Sequence, residues 1–103
     1  MSQALKFYRA TKALCDAVKA YRGARATVSD VKAASNALRT LMHDRTGIDL
    51  DLWRLTLALL TVVRSWLERP FREDLEHALA SLAGCVSADL DAWSALARIE
   101  LAA

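Results

Sequence analysis

Between Leu50 and Leu67 the chain reads LDLWRLTLALLTVVRSWL, a helix-period segment whose apolar residues wrap more than half of the helical circumference instead of lying on one stripe. Such a helix has to be covered on most sides, by its own chain or by a partner, and either solution constrains every other segment. A bilayer does not provide that cover. The longest uncharged stretch, Leu55 to Val63, has nine residues, where a span needs about twenty, and Asp51, Arg54 and Arg64 would lie at membrane depth. The sequence therefore predicts a soluble protein in which this helix, over about 50–68, is the centre of a bundle.

Four further helices are expected around it. Helix 1 runs over Gln3–Arg22 behind Ser2 as N-cap, with Phe7, Thr11, Leu14, Val18 and Tyr21 on one face and Lys6, Arg9, Lys12, Asp16 and Lys19 opposite, and Gly23 supplies a left-handed stop. Thr27 with Asp30 forms a capping-box pattern that opens helix 2, about Val28 to His43, whose stripe is Val31, Ala34, Leu38, Leu41 and Met42. After a short connection containing Gly47, Asp49 or Asp51 starts helix 3. Pro70 ends that helix at Arg69 and begins helix 4, striped by Phe71, Leu75, Ala78, Leu79 and Leu82 and closed by Gly84. Ser87 caps helix 5, which carries two apolar patches: Leu90, Trp93, Ala97 and Leu101, and Ala92, Leu96 and Ile99.

No strand alternation, solenoid repeat or Ser/Gly/Pro linker interrupts this pattern. The hydrophobic share of 54% and the scarcity of breakers exclude a disordered chain. The fold class expected is all-α: a single compact bundle of about five antiparallel helices forming one domain over residues 1–103. Cys15 and Cys85 have no CxxC spacing and no apolar leader precedes Lys6, so a reducing, cytoplasmic setting is the expectation, with both thiols acting as small interior hydrophobes.

Chemistry has little foothold in the sequence. There is no HExxH, CxxC pair, nucleophile elbow or glycine-rich phosphate loop. His43 shares the solvent side of helix 2 with Lys32, Asn36 and Arg39. His77 follows Glu73 by four residues, a surface-pair spacing. The stretch His77-Ala78-Leu79-Ala80-Ser81 resembles the histidine phosphotransfer motif in its His and Leu, but has Ala80 and Ser81 where that family has Lys and Gly. His43-Asp44-Arg45-Thr46-Gly47 is one residue shorter than a sensor-kinase phosphoacceptor box and lacks its Pro. A non-enzymatic protein with no catalytic residue, no metal and no cofactor is expected.

Charge is the second informative feature. Residues 1–29 hold Lys6, Arg9, Lys12, Lys19, Arg22 and Arg25 against Asp16 alone, whereas residues 68–103 hold Glu68, Glu73, Asp74, Glu76, Asp89, Asp91 and Glu100 against Arg69, Arg72 and Arg98. A formal net charge of +2 thus conceals a basic-to-acidic polarity. Opposed ends of this kind suit charge-guided contact with a second copy or another protein. The function expected is a protein–protein interaction or self-assembly module. Its interface is sought at Trp53, Leu57, Leu60 and Arg64 on helix 3 and at Ala92, Leu96 and Ile99 on helix 5. Trp and Arg on an apolar shoulder are typical of binding hot spots. The alternative is a nucleic-acid-binding or nucleoprotein subunit contacting phosphates, or an acidic partner, through Lys6, Arg9, Lys12, Lys19, Arg22 and Arg25.

Overall fold

In a computed structural model describing residues 3–97, the helices are α1 (Gln3–Arg22), α2 (Val28–Leu41), α3 (Leu50–Glu68) and α4 (Glu73–Ala97), with no strand among the described residues. Ser2, Arg98, Ile99, Glu100 and Leu101 lie outside them, as do the side chains of Leu96 and Ala97. Cross-helix pairs fix the directions. Gln3 at the start of α1 donates from Nε2 to the carbonyl of Leu41 at the end of α2 (3.3 Å). The hydroxyl of Tyr8 accepts from the backbone N–H of Asp49 before α3 (3.3 Å), and its ring stacks on Trp93 near the end of α4. At the opposite end Tyr21 meets Trp66 of α3 and Glu76 of α4. The helices therefore run up, down, up, down, each packed on its chain neighbours, with α4 closing the ring against α1. The Cα radius of gyration is 13.0 Å, that of a compact chain of about 100 residues.

Local chemistry explains most of the boundaries. The Thr27–Asp30 capping box is formed: Asp30 N–H donates to Thr27 Oγ1 (3.4 Å) and Thr27 N–H donates to Asp30 Oδ2 (2.7 Å). The Thr27 backbone N–H, and next its hydroxyl, which donates to Asp30 Oδ2 (3.1 Å), hold the Asp30 carboxyl below its ordinary pKa. Asp49 is the N-cap of α3, accepting from Leu52 N–H at 3.0 Å. Buried hydroxyls are satisfied within their own helices, Thr11 on Phe7 O and Thr56 on Leu52 O, each at 2.8 Å.

Several expectations are corrected. Among the described residues there are four helices, not five, because α4 runs unbroken through Gly84 and Ser87. Leu79, Ala83, Val86 and Leu90 are all buried at spacings of four, three and four, so the core-facing stripe passes Gly84 without a change of phase. An interior Gly costs a helix only about 1 kcal/mol. Gly84 is exposed, and a continuous buried stripe outweighs that penalty. Nor is α3 central. It lies between α2 and α4 and faces α1 across the core, while Arg54, Leu57, Ala58, Thr61 and Ser65 look outward.

Two turns also differ. The left-handed residue after α1 is Ala24 (φ 58°), not Gly23. Ala24 N–H donates to Tyr21 O (3.0 Å) and Arg25 N–H to Ala20 O (2.8 Å), the paired bonds of a Schellman ending. Helix α4 begins at Glu73 rather than Pro70, its first backbone bond running from Glu76 N–H to Arg72 O at 3.0 Å. Phe71, expected in the buried stripe, instead has φ 73° and stands 78% exposed.

Candidate interaction surface

Helix period brings Trp53, Leu57, Leu60 and Arg64 onto one flank of α3, and the surrounding helices divide them. Leu60 is buried. Trp53 is half-buried because its ring stacks on Phe7 of α1, with centroids 5.6 Å apart at 29°. Leu57 is 43% exposed and Arg64 is exposed. Leu50, two turns before Leu57 and not singled out in the sequence, is 42% exposed on the same outward side. The accessible flank is therefore Leu50, Leu57 and Arg64, edged by Trp53. On α4, Ala92 is exposed, while the side chain of Leu96 and all of Ile99 fall outside the described residues.

The basic residues of α1 do not form an uninterrupted row. Lys6, Lys19, Arg22 and Arg25 are exposed, whereas Arg9 and Lys12 are partly covered. Lys12 Nζ lies 2.9 Å from Asp16 Oδ2, and that hydrogen bond raises the lysine pKa above its ordinary value. Arg22 donates from Nη1 to the carbonyl of Glu76 (3.1 Å), which draws it toward α4.

Lys19 and Arg22 also edge a groove of about 330 Å³ between α1 and α4, walled by Cys15 and Val18 on one side and by Ala80, Ala83, Gly84 and Ser87 on the other. The small side chains of α4 leave this space open. Cys15 is buried there, and burial pushes its thiol up to about 12. Cys85 is exposed, contrary to its expected place in the interior.

A wider cleft of about 710 Å³ opens at the end of the bundle where the α1–α2 loop meets the α3–α4 turn. Its wall is a polar knot on Glu76. Tyr21 Oη donates to Glu76 Oε1 at 2.8 Å and Trp66 Nε1 donates to the same oxygen at 3.0 Å. The two rings meet edge to face at 4.9 Å. Partial burial, with the Glu76 carboxylate next, raises the Tyr21 pKa. Ala24, Ala26, Phe71, Glu73 and His77 complete the lining, and His77 Nε2 lies 3.6 Å from Glu73 Oε1 with both side chains largely exposed. Periodicity placed Phe71 in the core. The acidic run Glu73-Asp74-x-Glu76 was the signal for a later start, because acids concentrate in a helix's first turn.

Among the described residues no three His, Cys, Asp or Glu side chains converge as a metal site, and no helix is long and apolar enough to cross a membrane. Comparison with protein-family models, with curated proteins and with solved structures finds no match to this chain.

Proposed function

We propose that this chain is a non-catalytic protein–protein interaction module that docks through the outward flank of α3, onto a second copy or another protein, in a cytoplasmic setting. The observation that carries this reading is the pair Leu50 and Leu57, each more than 40% exposed, two turns apart on one helix face, with Trp53 and Arg64 beside them. Full burial of a leucine is worth roughly 1.5–3 kcal/mol, so a partner covering these two side chains gains a useful fraction of a binding energy from them. Trp and Arg at the edge supply the residue types that dominate interface hot spots. The α1 cations suit an acidic protein surface or a phosphate backbone, and Asp16 within their row, paired with Lys12, favours the protein.

The test compares wild type with Leu57→Asp by light-scattering mass over a concentration and salt series, by capture of partners from lysate, and by retention on labelled oligonucleotides. The reading expects association or capture that Leu57→Asp reduces at unchanged helicity. A wild type that stays monomeric and captures nothing contradicts it, and oligonucleotide binding abolished by Lys19→Glu would transfer the function to α1.

A further inference from the structure

We infer that the bundle end formed by the α1–α2 loop and the α3–α4 turn docks a second copy of this chain across a two-fold axis, with Phe71 of each copy entering the cleft of the other. This goes beyond the α3 reading, since it uses a different face and commits to one partner. Phe71 combines two unfavourable features. A bulky residue rarely adopts a left-handed backbone, and here φ is 73°. That backbone also leaves an aromatic ring 78% in solvent, next to a cleft that it borders. Burial of the ring against a partner offsets both.

The neighbouring surface says which partner fits. The cleft, at about 710 Å³, lies in the size range that takes small-molecule ligands and is ample for one aromatic ring. A projecting ring and a receiving cleft on the same face are self-complementary under a two-fold operation, and such a contact closes at two copies. The rims carry opposite charge: Arg22, with Arg25 following it in the loop, on the α1 side, and Glu73 on the α4 side, all exposed, while Asp74 is paired with Arg72 (2.7 Å) and adds no net charge. A two-fold axis through the cleft sets the basic rim of one copy against the acidic rim of the other, on both sides of the axis. The outward flanks of both α3 helices remain free in this pair.

Sedimentation equilibrium over a concentration and salt series is the test. Wild type is expected to reach at least twice the monomer mass, and Leu57→Asp, which removes any α3 contact, twice and no more, with weaker association at high salt. Phe71→Gly removes the ring and relieves the left-handed backbone, so it should raise the dissociation constant at least tenfold without lowering the melting temperature of the dilute chain. Arg25→Glu and Glu73→Arg should each weaken the homodimer, and an equimolar mixture of the two should restore a dimer containing one copy of each. The inference is overturned by a wild type that is monomeric to millimolar concentration, by masses that grow past two copies even in Leu57→Asp, or by a Phe71→Gly chain that dimerises like wild type. In the last case, loss of the dimer in Leu57→Asp would leave the α3 reading standing while this one fails.

Discussion

One oxygen of Glu76 holds the ends of α1 and α3 to the start of α4, through the Tyr21 hydroxyl and the Trp66 indole N–H. Trp66 is fully buried, so removal of its acceptor strands a donor away from water, at a cost of roughly 1–3 kcal/mol. Glu76→Ala is therefore expected to destabilise by about that amount in urea denaturation, while Glu76→Gln, which keeps an acceptor oxygen, stays close to wild type. Cys15 predicts a pH effect. Its thiol is pushed from the ordinary 9.0 to about 12 by burial. Below pH 9 the thiol is protonated in both states and its contribution is fully present. As pH rises toward 12 the unfolded thiol ionises first, so stability falls, by up to about 1.4 kcal/mol per pH unit. Tyr8 and Tyr21, both raised chiefly by burial, act in the same direction above pH 10. Cys15→Ala should flatten the alkaline decline in the urea midpoint between pH 9 and 10, and an unchanged slope would contradict the assignment.

Helix α4 shows which elements can be read locally and which cannot. The end of α1, the bounds of α3 and the start of α2 were legible because their signals are short-range: a stripe at spacings of three and four, a Thr27–Asp30 box, an Asp49 cap. Gly84 carries an equally local stop signal, but Val86 and Leu90 pack into a core assembled by the other helices, and that burial continues the helix. Gly84 is exposed, and a Cβ added there meets nothing within 4 Å. Gly84→Ala should accordingly stabilise by about 0.5–1 kcal/mol, visible as a melting temperature several degrees higher. A decrease would mean that α4 bends or opens at this point. The same limit governed the candidate site. A helical wheel groups Trp53, Leu57, Leu60 and Arg64 correctly, but Phe7 on another helix decides that Trp53 is half covered. Trp53→Ala thus tests packing and binding together, whereas Leu57→Asp, at an exposed position, should leave thermal stability within about 0.5 kcal/mol of wild type.

At the scale of the molecule, four helices of alternating direction leave two surfaces with exposed large apolar side chains among the described residues. One is the outward flank of α3 with Leu50 and Leu57, the other the bundle end with Phe71. The wide apolar arc of α3 pointed to a helix covered on most sides, by its own chain or by a partner. Instead most of the arc feeds a shared core and a remainder faces out, because a ring of four helices covers only the inward half of each member. Site-specific photo-crosslinking tests the proposed interface on the outward flank of α3 most directly. A benzophenone side chain substituted at Leu57 should capture a second copy or another protein in high yield, while the same group at Asn36, exposed on α2, should not. Equal yields at the two positions would contradict the claim that the outward flank of α3 is an interface.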